Sequence, residues 1–216
     1  MNINYIKSIF LKALTAGITI GIGGIVYVLV ENKYLGAVLF SLGLFTIMQF
    51  KFALYTGKVG YIPQNKPSYI IEVLVTFAGN VAGTAFTALM VGQTRLGNKI
   101  EQCTSEIMQA KIDDTVISKL ILGFFCGILM YIAVENNQIS RKNNCDMSAV
   151  FGTVFPVAVF ILCGFNHSIA DCFYMFSAGV SLPGVLYILT VALGNAVGGM
   201  FISTMSKIPD KSTKES

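Results

Sequence analysis

Hydrophobic residues run almost without interruption through six stretches of the chain. No Asp, Glu, Lys or Arg occurs in 13–30, 34–50, 73–94, 120–134, 147–170 or 172–206. A helix at a protein surface needs a polar face, and these stretches lack one. A helix crossing lipid needs about 20 apolar residues. The pattern predicts six spans: about 10–30, 34–52, 69–91, 118–134, one starting near Met147, and 184–205. The polar segments 92–118 and 135–146 lie between spans, the second read as a loop. Residues 1–206 read as a single transmembrane domain and 207–216 as a polar tail.

Two spans are interrupted. The second meets Thr56-Gly57-Lys58 and then Pro63, and the fifth runs into Gly164-Phe165-Asn166-His167. A broken helix leaves backbone groups unpaired, which lipid does not tolerate unless they are buried in protein or line a cavity. The breaks correspond when the chain is cut into two halves of three spans. Spans three and six also share a pattern, Gly79-Asn80-Val81-Ala82-Gly83 and Gly194-Asn195-Ala196-Val197-Gly198. An odd number of spans per half makes the repeats inverted, and paired interruptions in an inverted repeat point to a solute site at mid-membrane. In span one, Gly17, Gly21 and Gly24 share a helical face that admits a close neighbour.

Composition narrows the function. Only 12% of residues are charged, 54% are hydrophobic, and the mean hydropathy is +0.69. Soluble domains carry about 25% charge. Six spans leave no room for a soluble catalytic domain. No nucleophile–base pair, metal cluster or phosphate loop occurs, so neither an enzyme nor a cofactor nor a metal is expected. The net charge of +4 sits in short loops and tails, a topology signal rather than a nucleic-acid stripe. The five scattered cysteines form no CxxC pair and read as small apolar fillers. Lys/Arg residues favour the side holding the N-terminus, 57–68, 135–146 and the tail, nine against five in the opposite loops. Both termini are therefore expected in the cytoplasm, in the cytoplasmic membrane.

His167 is the one side chain that titrates near neutral pH. Desolvation at mid-membrane favours its neutral imidazole, which still donates a hydrogen bond or passes a proton. Thr56 occupies the matching break and offers a hydroxyl to a solute or to His167.

These residues carry a family resemblance. The stretch Gly164-Phe165-Asn166-His167-Ser168-Ile169-Ala170 resembles the signature loop of formate–nitrite transporters. So do Phe40-Ser41-Leu42-Gly43-Leu44, then Leu54-Tyr55-Thr56-Gly57, and the GNxxG segments; the likeness covers roughly 10–205. It implies an aquaporin-like protomer of six helices, usually in a homopentamer with one pore per protomer. Family pores carry small monovalent anions or their weak acids, such as formate, nitrite, hydrosulfide, acetate or lactate. By the resemblance, His167, Thr56 and Asn166 line the pore centre or relay protons. Phe40, Leu44, Leu54, Tyr55 and Phe160 form apolar constrictions, and Lys111 attracts anions in a vestibule.

Four positions depart from the family pattern. Asn166 stands where Glu is usual, Asp171 where Asn is usual, Gly127 where Asn is usual, and Lys51 where a small residue is usual. Buried charges need partners, so a Lys51–Asp171 ion pair is one expectation; Lys51 reaching an interface is the other. The leading function is a channel or transporter for a small monovalent anion, with vestibule attraction and histidine-assisted protonation. The alternative is an aquaporin-like pore for a small neutral solute.

Overall fold

The structure, a computed structural model, describes residues 3–208. The expected tail beyond Ile208 lies outside the described residues. Within them the chain is helical and contains no strand. The helices are α1 (Ile3–Leu29), α2 (Lys33–Phe40), α3 (Leu42–Phe50), α4 (Tyr55–Lys58), α5 (Tyr69–Gly92), α6 (Gly97–Asp113), α7 (Val116–Lys142), α8 (Asp146–Leu162), α9 (Ser168–Ala178) and α10 (Leu182–Met205), with a 3-10 helix, Val59–Gln64, after α4. Four of them, α1, α5, α7 and α10, and the α2–α3 pair are long and apolar enough to cross a bilayer; α8 is equally apolar but 17 residues long. This is a multi-pass membrane protein.

Burial is arranged as in a lipid solvent. Leu89, Ile117, Leu74 and Phe155 point outward, while Thr76, Asn80, Thr84 and Asn195 are fully buried. The polar atoms find partners inside, and the apolar ones face the surround. Two helix pairs form the frame. In α1 and α5, a Cβ added at Gly17 would lie 2.9 Å from the Gly83 Cα. In α7 and α10, a Cβ at Gly127 would lie 2.9 Å from the Asn195 Cα. No side chain fits at 127 without spreading these helices. That gives a packing reason for the glycine where the resemblance implies Asn.

Three boundaries differ from the sequence pattern. Residues 135–142, read as loop, continue α7 for two more turns, because Glu135 and Arg141 find partners in Tyr61 and Asn137. The second span pauses at Ser41, whose hydroxyl donates to the Val38 carbonyl at 2.5 Å. The polar segment 92–118 contains the amphipathic helix α6, which packs against α9.

Candidate functional site

Two turns interrupt helices in the interior, and they are built alike. After α3, Lys51 takes a left-handed conformation (φ 55°), and Phe52 N donates to the Ile47 carbonyl at 3.0 Å. After α8, Gly164 is left-handed (φ 68°), and Phe165 N donates to the Phe160 carbonyl at 2.9 Å. A left-handed residue followed by such a six-to-one bond satisfies the last carbonyls of a helix. Each chain then becomes extended, at Leu54 and at His167, before α4 and α9 begin. Leu54 and His167 therefore occupy equivalent places.

One buried asparagine holds each turn. Asn80 Oδ1 accepts from Tyr55 N at 2.7 Å, and its Nδ2 donates to the carbonyls of Ala53 (2.8 Å) and Ala13 (2.7 Å). Asn195 Oδ1 accepts from Ser168 N at 3.0 Å, and its Nδ2 donates to the carbonyls of Asn166 and Gly123, both at 2.8 Å. Each amide ties the extended segment to the neighbouring frame helix and satisfies backbone groups that the break exposed. Their sequence signal is the repeated GNxxG, which marks the two halves of the repeat but does not show what the asparagines hold.

The turns bring His167 and Thr56 together. His167 Nδ1 accepts from Ala170 N at 3.1 Å, so the ring proton resides on Nε2. Nε2 lies 2.9 Å from Thr56 Oγ1 and donates to it. The Thr56 hydroxyl proton then remains available to a solute, since no protein acceptor is recorded for it among the described residues. Both side chains are at most 2% exposed. The imidazole stacks on Phe160 (centroids 5.4 Å apart), and Phe160 meets Phe40 edge-on at 6.1 Å. Ser168 Oγ, beside them, is buried and has no partner.

Two cavities approach this centre from opposite ends of α1. A narrow one, about 90 Å³, touches Tyr27, Phe40, Phe160 and His167. Lys111 and Asp171 also line it, 3.2 Å apart as an ion pair. Lys111 Nζ donates to Asn166 Oδ1 at 2.7 Å, and the Tyr187 hydroxyl donates to Asp171 Oδ2 at 2.7 Å. The expected Lys51–Asp171 pair is absent: Asp171 takes Lys111 instead, because α6 packs over α9 whereas Lys51 opens into the other cavity. Lys111, expected to present bare charge, is compensated. The Asn166 side chain faces Lys111 rather than Thr56, and Tyr187 completes a cluster the sequence did not reveal.

The wide cavity is about 620 Å³. Leu44 and Leu54 wall its inner end, and Lys12, Lys51, Lys58 and Arg141 line it with a single carboxylate, Glu72. Lys58 pairs with Glu72. Arg141 Nε donates to Asn137 Oδ1 at 3.0 Å. The Tyr61 hydroxyl donates to Glu135 at 2.6 Å; burial, and then that bond, push its pKa up, so it stays a donor. Tyr55, expected at a constriction, lines neither cavity. Its ring meets Phe77 edge-on and its hydroxyl donates to the Ala192 carbonyl at 3.0 Å, wedging α4 between α5 and α10.

Helices interrupted in the interior, a polar pair at their meeting point and a cavity on either side define a membrane transport protein. The chain belongs to the formate/nitrite transporter family, whose profile matches residues 3–208. It is 22% identical to the formate channel FocB of Escherichia coli, over 92% of this chain and 85% of that protein. It is 27% identical to the formate channel FocA of the same organism, over 76% of this chain and 64% of that protein. Its fold is that of a solved pentameric formate channel with formate bound, with a TM-score of 0.79 at 24% identity, covering 95% of this chain and 97% of the other.

Proposed function

We propose that the chain forms a channel for a small monovalent anion or its neutral acid. Formate is the first candidate, because the relatives above are formate channels; nitrite, hydrosulfide and short carboxylates follow by family. In this reading residues 1–206 are one channel domain of six spans in two inverted three-helix repeats. The second span is α2–α3 with α4 past its break, and the fifth is α8 with α9 past its break. The assembly is a homopentamer in the cytoplasmic membrane with both termini cytoplasmic. The observation that carries the reading is the His167–Thr56 pair, closed between cavities at opposite ends of α1 by Leu44 and Leu54 on one side and Phe40 and Phe160 on the other.

The mechanism follows from desolvation. A bare carboxylate loses several kcal/mol, at about the level of any buried ion, on entering an apolar septum. A neutral acid avoids most of that cost. The anion gathers in a cationic cavity and, as it leaves water, takes up a proton that water supplies at the His167–Thr56 pair. Thr56 then donates its hydroxyl to the solute while His167 Nε2–H holds the Thr56 oxygen. The acid passes the phenyl pair and re-ionises in the opposite cavity.

Formate uptake into proteoliposomes with internal pH recorded tests this. His167→Phe should abolish uptake, and His167→Asn should retain it with an altered pH profile. Uptake by His167→Asn that matches the parent at every pH would remove the proton role. Uptake of glycerol or water, insensitive to pH and salt and without formate, would install the neutral-solute reading.

A further inference from the structure

We propose that the wide cavity is a binding site for a compact polyvalent oxyanion of the phosphate class, which seats there and obstructs the pore without passing. The inference rests on reading this cavity as a pore mouth. Four cations face it against one carboxylate, and that carboxylate, Glu72, is taken by Lys58 and the Tyr5 hydroxyl. Lys12, Lys51 and Arg141 form no ion pair among the described residues, so three positive charges remain uncompensated around one space. Such a concavity focuses potential onto whatever anion enters. At about 620 Å³ it exceeds what a formate-sized ion fills. A monoanion leaves most of the charge unanswered; a pyrophosphate-sized ion answers it and still has room.

Three further features give the space the character of a site. Lys51 is held left-handed, a conformation that a non-glycine residue keeps only where its surroundings enforce it. Arg141 is oriented by Asn137, which itself donates to Thr153 Oγ1 at 2.9 Å. The guanidinium is thereby fixed by a single nitrogen, and its remaining donors suit a phosphate oxygen fork. At the inner end, Leu44 and Leu54 are at most 3% exposed and offer no polar atom to a multiply charged ion. A polyanion is therefore drawn in and stopped.

Isothermal titration of the purified full chain with pyrophosphate at low ionic strength tests the site. Saturable binding is expected. Lys51→Gln and Arg141→Gln should each weaken it about tenfold, the loss of one charge-assisted bond. Lys99→Gln, exposed on α6 and outside this cavity, should bind as the parent. Thermal unfolding identifies any variant that fails to fold, and the other then decides. Absence of saturable binding, or binding indifferent to both substitutions, overturns the proposal. Titration with a short-chain phosphatidic acid separates sources: tighter pyrophosphate binding assigns a free ion, tighter lipid binding a headgroup, and either supports phosphate chemistry at the site. In proteoliposomes, pyrophosphate on the Lys51 side should lower formate uptake. Binding in a protein that carries no anion leaves the site standing and removes the channel reading. Normal formate uptake without binding does the reverse.

Discussion

The turn after α3 and the turn after α8 share a backbone and differ in what they present. Each closes its helix with a left-handed residue, and each hangs from one asparagine, Asn80 or Asn195. The first places Lys51 and Leu54 where the second places Gly164 and His167. The cavities beyond them differ in the same sense. The first turn faces a wide space with three uncompensated cations, and the second a narrow space where Lys111 is neutralised by Asp171. The asparagine frame is thus a shared support, and the asymmetry of charge is added to it by individual side chains. In the proposed reading, anion attraction belongs to the Lys51 end and the polar step at the centre to His167.

The sharpest way to break this contrast is at the compensated end. Asp171 is 2% exposed, and its charge is answered by Lys111 and the Tyr187 hydroxyl. Lys111→Met leaves that carboxylate buried without its cation and should cost about 3–5 kcal/mol in detergent unfolding. Lys111→Met with Asp171→Leu should recover most of the loss, since an apolar pair of similar size replaces both charges. A single substitution as stable as the parent would show that the pair carries no burial cost.

The next effect tests the shared support. Asn80→Ala and Asn195→Ala each remove three hydrogen bonds between a fully buried amide and backbone groups. Each should destabilise by about 2–4 kcal/mol, and by nearly the same amount as the other. Unfolding titrations of the two variants compare them directly. A large loss in one and none in the other would mean that the two turns are alike in geometry but not in energy.

Much of this frame is legible in the sequence because it is local. Charge-free runs mark the spans. The breaks fall where Thr56-Gly57 and Gly164-Phe165 interrupt them, and the repeated GNxxG marks the helices that carry the supports. His167 stands out as the only histidine. The pairings are not legible, because they join elements far apart. Lys111 meets Asp171 only because α6 folds over α9, whereas position along the chain offers Lys51 as the partner for Asp171. Tyr55 directly follows an extended segment that lines the cavity, but its helix turns it toward Ala192. The equivalence of Lys51 and Gly164 was written in the chain, each followed by phenylalanine. It becomes visible only once the helix-ending turns are superposed.

That equivalence yields the smallest effect and separates backbone from charge. A left-handed lysine costs about 1–2 kcal/mol relative to a residue without a Cβ, part of which glycine returns through its freer unfolded chain. Lys51→Gly should therefore stabilise the protein by about 0.5–1 kcal/mol. The mirror substitution, Gly164→Ala, should destabilise it by about 1 kcal/mol for the same reason. Uptake should move the other way in Lys51→Gly: removing one of three uncompensated charges lowers anion entry at low ionic strength, and added salt should erase the difference from the parent. A variant more stable yet slower, with the gap closing in salt, shows that Lys51 is kept against its backbone preference for the charge it presents. If Lys51→Gly were less stable, the lysine would be holding the turn together, and the two turns would differ in their support as well as in what they present.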